Sequence, residues 1–477
     1  MVDVTEFDCL IVGNGALGLF LANELAERAR LRVAISGDAR RPTGASQAAG
    51  AMLGCFAEVT AETFVGDAGR ERFELSLAAR HRWPDLLKRL RSSDDTARSP
   101  DVAEGTYVVL NTCGSELDSE NFDAITAAAE HYAEPWTEVD PAAIRGYCPR
   151  PDARALRAIH IPGEGGVDAR AVLDLVERRV RAAGVTMLPE VAGLASEGGQ
   201  VTGAVLADGK RVAAGATVVA AGARSGALLA PVLEPDEVMP MFAGLGFAVV
   251  AERTRGAGFE SVVRTPNRAF ACGLHLVPLG GKREYLGATN MVVGEPQANG
   301  VLGDVHFLTG CAMAQLDEEI YHHQITGYRV GNRPVSLDGL PLVGWVREPG
   351  LYLLTGTYRD GFHNAPLLAE HAADQLAGGA GVIGETFSPR RTPIFTRSVE
   401  RSIEDFVRHR MAAWYETGAE SPPNMPSSAL RQILREQART FYERLGLERG
   451  LPPDLLMHVL GTLQSRRTAA VLRYLRS

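Results

Sequence analysis

The sequence predicts an α/β protein built on a Rossmann-type nucleotide-binding unit, and three observations lead there. A strand, a glycine loop, a helix and a second strand open the chain within 36 residues. Further glycines punctuate short apolar runs, as they do where strands are joined by turns. No repeat with a period of roughly 20–50 residues points to a solenoid or propeller.

The opening unit reads element by element. Asp8–Val12 is a short apolar strand, Gly13, Gly15 and Gly18 complete a GxGxxG pattern around Ala16 and Leu17, and Leu19–Arg28 carries Leu21 and Leu25 at helical spacing. Leu31–Ile35 is the second strand. The three glycines serve a tight turn, close backbone approach to a pyrophosphate, and close helix–strand packing, with phosphate at the helix N-terminus. The second strand ends in Ser36, where an acidic residue usually accepts the ribose hydroxyls; Asp38 follows two positions later, and either can take that role. The small-residue run Gly44–Thr60 then lets backbone approach a bulky planar group, which hints at FAD rather than a nicotinamide.

Composition excludes several classes. The 477 residues carry a net charge of −9, which argues against nucleic acid as the main partner. No apolar run approaches the ~18 residues of a membrane span. The acidic N-terminus MVDVTEFD is unlike a signal peptide, and a cytoplasmic protein is expected. Cys9, Cys55, Cys113, Cys148, Cys272 and Cys311 stand far apart, without a CxxC pair, so neither a disulfide scaffold nor a thiolate metal site is expected. No HExxH occurs, and no metal is expected.

The segment GASQAAGAMLGCFAEVT carries a resemblance to the D-amino-acid-oxidase-like family of FAD-dependent oxidoreductases, and within it to the glycine oxidase and sarcosine oxidase-like branch. Ser46, Ala48, Ala49, Met52, Leu53 and Glu58 match that family's segment, whereas Gly50-Ala51 reverses the usual order. The resemblance recurs at Gly163–Leu188, Ala216–Leu229, Leu274–Asn290, Val330–Gly344 and Gly350–Leu376, in order. It implies non-covalently bound FAD held by Gly13, Gly15, Ala16, Leu17, Gly18, Ser36, Ser46, Ala49, Gly50, Met52, Val191, Gly222, Arg333, Arg359, Asp360, Gly361 and Phe362. It also implies a discontinuous FAD domain at residues 1–65, 145–225 and 330–385, and a mixed-sheet substrate domain at 66–144 and 226–329.

Residues 386–477 exceed the family's usual chain. Ser398–Glu416 looks helical, Glu420–Ser428 is a breaker-rich linker with a Ser N-cap, and Leu430–Leu445 is a helix stopped by Gly446. A further helix is expected from Asp454 to Leu475. Twelve arginines, no lysine and eight acids in residues 401–477 suit a small bundle docked on the acidic body with solvated arginines; a nucleic-acid or carrier-protein surface, or a contact with a second copy, is the other reading. The extension is expected to be a separate helical layer outside the flavin site.

The implied activity is that of an FAD-dependent oxidase or dehydrogenase, oxidising the C–N bond of a small amine or amino acid to an imine by hydride transfer to flavin N5. Oxygen or another acceptor would reoxidise the flavin. The alternatives are a larger, carrier-bound or non-carboxylate amine, or a flavoprotein subunit passing electrons to a partner. In the family, the Arg of GxRP, here Arg333, clamps the substrate carboxylate; a structural pair with Asp338 is the other reading. Arg359 is a second candidate, against a surface pair with Asp360. His275 stands where glycine oxidases place a Tyr, and Leu279 where they place an Arg, which puts glycine itself in doubt as substrate. His275 is then a donor, a base or a satisfied sheet histidine. Tyr358, Phe362 and His363 either contact substrate or pack beneath the flavin loop.

Overall fold

The computed structural model describes residues 5–28, 31–92, 102–270, 273–417, 419, 422–462, 469, 471–472 and 474–475; Cys272 lies outside them. The chain forms two sheets. The first runs in the order Leu342–Arg347, Leu351–Thr355, Arg211–Val219, Thr5–Val12, Val33–Ser36, Thr186–Leu188. Its pairings from Leu351–Thr355 through Thr186–Leu188 are parallel. Leu10 and Ile11 are completely buried at its centre, so the strand reads as an unbroken apolar run and not as an alternation. Helices Ala16–Arg28, Ala169–Ala182 and Ala365–Leu376 pack their apolar sides into one core with this sheet.

The second sheet is mixed and holds ten strands. Its longest pairing is antiparallel, between Met241–Glu252 and Gln324–Ser336, and sets Gly244 opposite Arg333. The hairpin His275–Pro278 and Arg283–Gly287 pairs beside it. Met52–Leu53 and Ala155–Val167, from ranges expected in the cofactor unit, lie here instead, and so does Gln324–Ser336, which straddles the expected boundary at residue 330. Periodicity marks a strand but not its partner, and these partners lie far away in sequence. The chain therefore crosses between the sheets at those strands, and the crossings bring residues from both sheets to one seam.

The C-terminal extension is helical, with Val399–Tyr415, Ser427–Leu445 and Pro453–Gly461. Gly446 ends the second helix in the left-handed region at φ 60°. The Ser N-cap is not seen: Pro426 holds that place, and the Ser427 hydroxyl meets the Tyr415 hydroxyl at 2.9 Å. The third helix stops at Gly461, well before Leu475. Part of the stretch beyond it lies outside the described residues, and residues 469, 471–472 and 474–475 are helical.

The expectation of a separate layer is overturned. Phe406, Phe441, Leu451, Leu455 and Leu456 share one core with Met241, Phe242, Val335, Leu342 and Tyr358 of the body. Arginines of the extension pair with body acids, Arg408 with Glu120, Arg401 with Glu62 and Arg391 with Asp338. Backbone bonds add to this: the Ala269 N–H donates to Glu416 Oε1 at 2.8 Å, and the Phe270 N–H to His409 Nδ1 at 3.1 Å. A core built from both parts does not survive losing one of them. A chain ended at Gly384 should expose Met241, Phe242 and Val335 and fail to accumulate as soluble folded protein. Recovery of a monodisperse, cooperatively melting protein from that chain would contradict the shared core.

Candidate active site

A cavity of about 420 Å³ opens at the ends of the parallel strands and reaches the second sheet. Thr5–Val12 runs into Gly13, whose φ is 120° and where an added Cβ would stand 2.3 Å from the Ala220 carbonyl oxygen. Only glycine fits such a turn without strain. The helix that follows turns its first N–H groups toward the cavity, and the Ala16 N–H donates to Ser46 Oγ at 2.9 Å. Gly15, Ala16, Leu17, Ser36, Ser46, Ala49, Gly50, Met52, Val191 and Gly222 all line this end or the adjoining wall. Gly18 does not. Its Cβ would stand 1.9 Å from the Gly13 carbonyl oxygen, so its task is helix–strand packing behind the wall.

Ser36 and Asp38 both reach the cavity. The Ser36 hydroxyl donates to the Pro189 carbonyl, which leaves it only lone pairs for a ligand. One Asp38 oxygen accepts the Arg40 N–H at 2.8 Å. Arg41, which the sequence did not single out, is buried beside them; its Nε donates to Asn14 O at 2.8 Å and its guanidinium pairs with Glu177.

The far end of the cavity carries the residues expected to do chemistry. Arg333, Arg359, Tyr358, His275, Asp360, Gly361 and Phe362 all line it. Arg333 Nη1 donates to Thr289 O and to Asn290 Oδ1, each at 3.1 Å. Its expected structural partner is taken: Asp338 makes a two-pronged pair with Arg391, at 3.0 and 2.8 Å. Asp360 is likewise bound by Arg72, at 2.7 Å. The Arg359 guanidinium stands over the Tyr358 ring, 5.5 Å from its centroid. Phe362 stacks on Trp83 with centroids 5.6 Å apart, so it packs beneath the loop while also reaching the wall. His363 also reaches the cavity wall, with its Nε2 held on Ser76 O at 2.8 Å.

His275 is fully enclosed. Burial pushes its imidazole down to about 4, the Gly273 carbonyl works the other way, and Arg264 and Arg333 lower it further. The ring is neutral at pH 7. Nδ1 lies 2.8 Å from Gly273 O and so carries the proton, which leaves Nε2 as an acceptor. Gly50 and Gly287 approach this ring closely, and a Cβ on them would stand 3.0 and 2.6 Å from Nε2. Leu279 is buried and offers no charge here.

A buried pair braces this end. Arg264, 1% exposed, binds Glu58 through Nη1, and Asn267 ties both together: its Oδ1 accepts Arg264 Nη2 at 2.7 Å and its Nδ2 donates to Glu58 Oε2 at 3.1 Å. Burial alone would raise the Glu58 carboxyl, but Arg264 and Arg359 outweigh it and hold it at about 2. Glu58 was legible in the sequence; Arg264 showed itself only as a charge closing the apolar strand Val262–Arg264, which is buried throughout.

A second cavity of about 280 Å³ adjoins the first and shares Gly54, Glu58, Tyr358, Arg359 and Asp360 with it. Its outer wall comes from the extension, including Phe395, Arg397, His409 and Asp454. Among the described residues no cluster of His, Cys, Asp or Glu could hold a metal ion, and no helix is long and apolar enough to cross a membrane.

A glycine turn at the head of a parallel sheet, opening on a cationic pocket of a second sheet, defines a dinucleotide-dependent redox protein of two-sheet architecture. The chain belongs to the FAD dependent oxidoreductase family, whose profile matches residues 8–375, and its cofactor is FAD. It is 26% identical over 392 residues to a glycine oxidase of Pseudomonas aeruginosa, covering 78% of this chain and 96% of that one. It is 27% identical over 461 residues to the bifunctional protein ThiO/ThiG of Synechocystis sp., covering 94% of this chain but only 64% of that longer protein. A crystal structure of glycine oxidase from Geobacillus kaustophilus superposes with a TM-score of 0.69 at 25% identity, covering 82% of this chain and all of that one. The cradle fits the cofactor: the tight turn at Gly13, packed against the Ala220 backbone, sets the start of the first helix at the cavity wall, and Gly13–Leu17, Ser46 and Gly222 line that end.

Glu58→Gln should leave Arg264 buried without its counter-charge, at a cost of about 3–5 kcal/mol in denaturant unfolding at pH 7. The pH dependence has a definite sign. Glu58 is held below its ordinary value of 4.5, so its contribution is full above pH 4.5 and lost as pH falls toward about 2. The variant's stability should fall less steeply than the parent's across that window. An unchanged unfolding midpoint and slope would contradict the pairing.

Proposed function

We propose that this chain oxidises the C–N bond of a small amine, in the first instance an amino acid, to an imine. Bound FAD supplies the acceptor for the hydride at its N5. The residues that would hold the cofactor are the turn Gly13–Leu17 with Ser46 at the phosphates, Ser36 and Asp38 near the ribose, Val191 and Gly222 along the wall, and Ala49, Gly50, Met52 and Asp360–Phe362 around the ring.

One observation carries the amino-acid reading. Arg333 reaches a cavity built for the cofactor, it is half-buried, and no carboxylate among the described residues pairs with it. A desolvated guanidinium calls for an anion, and its planar fork suits a carboxylate. The neighbouring His275 is neutral and offers Nε2 as an acceptor, so it adds no competing charge and suits the amine end of the same molecule. Anchoring one end fixes the reacting carbon relative to the ring, which accounts for much of the protein's share in such chemistry.

Arg333→Met should raise the substrate KM by about ten- to a hundredfold, the loss of a charge-assisted hydrogen-bonded anchor worth ~1.5–3 kcal/mol, while flavin content stays unchanged. Unaltered saturation would overturn the clamp and favour an amine without a carboxylate. The cofactor should also be released completely by acid precipitation, since no cysteine lies between Asn332 and Ser477 to tether it. A flavin-labelled peptide after proteolysis would contradict that.

A further inference from the structure

The anchor Arg333 is not held by the family's part of the chain alone. Asn290 Oδ1 accepts from Arg333 Nη1 at 3.1 Å, and Asn290 Nδ2 donates both its hydrogens, to Phe270 O at 2.7 Å and to the Tyr358 hydroxyl at 2.6 Å. The Tyr358 hydroxyl donates onward to Asp454 Oδ2 at 2.6 Å. Asp454 lies in the first turn of the helix Pro453–Gly461, in the extension beyond the family's matched residues. Its other oxygen accepts the Leu455 N–H at 2.9 Å, which fixes the carboxylate's rotation.

The direction of each bond matters more than its length. An aspartate accepts and cannot donate, so it draws the Tyr358 proton toward the extension and leaves that oxygen as an acceptor for Asn290. Asn290 must then turn its NH2 toward Tyr358 and its oxygen toward Arg333. Reversing the amide would put an NH2 against a guanidinium, two donors facing each other. Tyr358 itself sits at φ 48°, a left-handed conformation that a tyrosine keeps only when its surroundings hold it. Its ring lies in the core shared with Leu455 and Leu456 of the same helix.

We propose that Asp454 is a positioning residue of the active site: the extension supplies the acceptor that sets the polarity of the chain Tyr358–Asn290–Arg333 and thereby orients the guanidinium. The extension is thus part of the pocket's machinery as well as of its core. This inference rests on the reading of Arg333 as a carboxylate anchor, and the test separates the two.

The probe is acetate, a carboxylate that cannot be oxidised, titrated into the FAD-loaded full-length protein while the flavin absorbance band is followed. Arg333→Met should abolish or strongly weaken the spectral titration. Asp454→Asn, nearly identical in shape but able to donate, should weaken acetate by about threefold to thirtyfold, the size of coupling found between contacting residues. It should raise the substrate KM by a like factor with little change in kcat, flavin content or melting temperature. Tyr358→Phe should weaken acetate to the same extent, and the double variant should be no worse than either single one. If Arg333→Met weakens acetate and Asp454→Asn does not, the positioning role is overturned and the anchor stands. Additive effects of Asp454→Asn and Tyr358→Phe would also overturn it. If Arg333→Met leaves acetate unaffected, the anchor fails and the inference with it. Should Asp454→Asn lower the melting temperature, Tyr358→Phe, which removes only a hydroxyl, decides the matter by the same titration.

Discussion

The arrangement depends on one antiparallel pairing, that of Met241–Glu252 with Gln324–Ser336. It sets Arg333 opposite Gly244 and lays its guanidinium across Gly246, where a Cβ would come within 2.4 Å of Nη1. Without those two small residues the arginine could not lie flat against the sheet and reach Thr289 O and Asn290 Oδ1. The same pairing carries Asn332 to the Gly44–Ser46 segment, where it bonds Thr43 O, and so ties the second sheet to the glycine-rich wall of the first. The glycine-rich wall of the cavity and Arg333 are therefore placed by one strand.

Charge is distributed at the seam with evident economy. Glu58 neutralises Arg264, Asp360 neutralises Arg72 and Asp338 neutralises Arg391. His275, which lines the same cavity, stays uncharged down to about pH 4. Among the described residues Arg333 stands apart from these pairings, so under the proposed function a carboxylate would meet a cation not already neutralised by the protein. In a poorly solvated site that distinction governs affinity, since a paired arginine would have to surrender one partner to gain another.

Much of this was legible in the sequence, and the reasons differ by residue. Gly13, Gly15 and Ala16 announce themselves because a strand, a tight turn and a helix dictate their spacing locally. Arg333 is marked by its motif and not by any local physics. The three strands that cross between sheets, Met52–Leu53, Ala155–Val167 and Gln324–Ser336, do not stand out in the sequence as strands of the second sheet, because their partners lie far away along the chain. The docking of the extension is the part least legible in the sequence. Its helices have ordinary amphipathic spacing, which shows that an apolar face is buried without saying against what. Asp454, after two prolines, looks like any acidic residue in a helix's first turn, where the dipole favours it. Only the folded chain brings it within hydrogen-bond distance of Tyr358, ninety-six positions away.

Under the proposed function the two-sheet seam orients a small amine, held by its carboxylate, against the flavin. The most direct test of that reading is an anaerobic titration of the FAD-loaded protein with a panel of amino acids and simple amines, watching the flavin absorbance. The account predicts stoichiometric bleaching by at least one amino acid and none by the matching amine that lacks the carboxylate. Bleaching by the amine alone, or by no member of the panel, would contradict it.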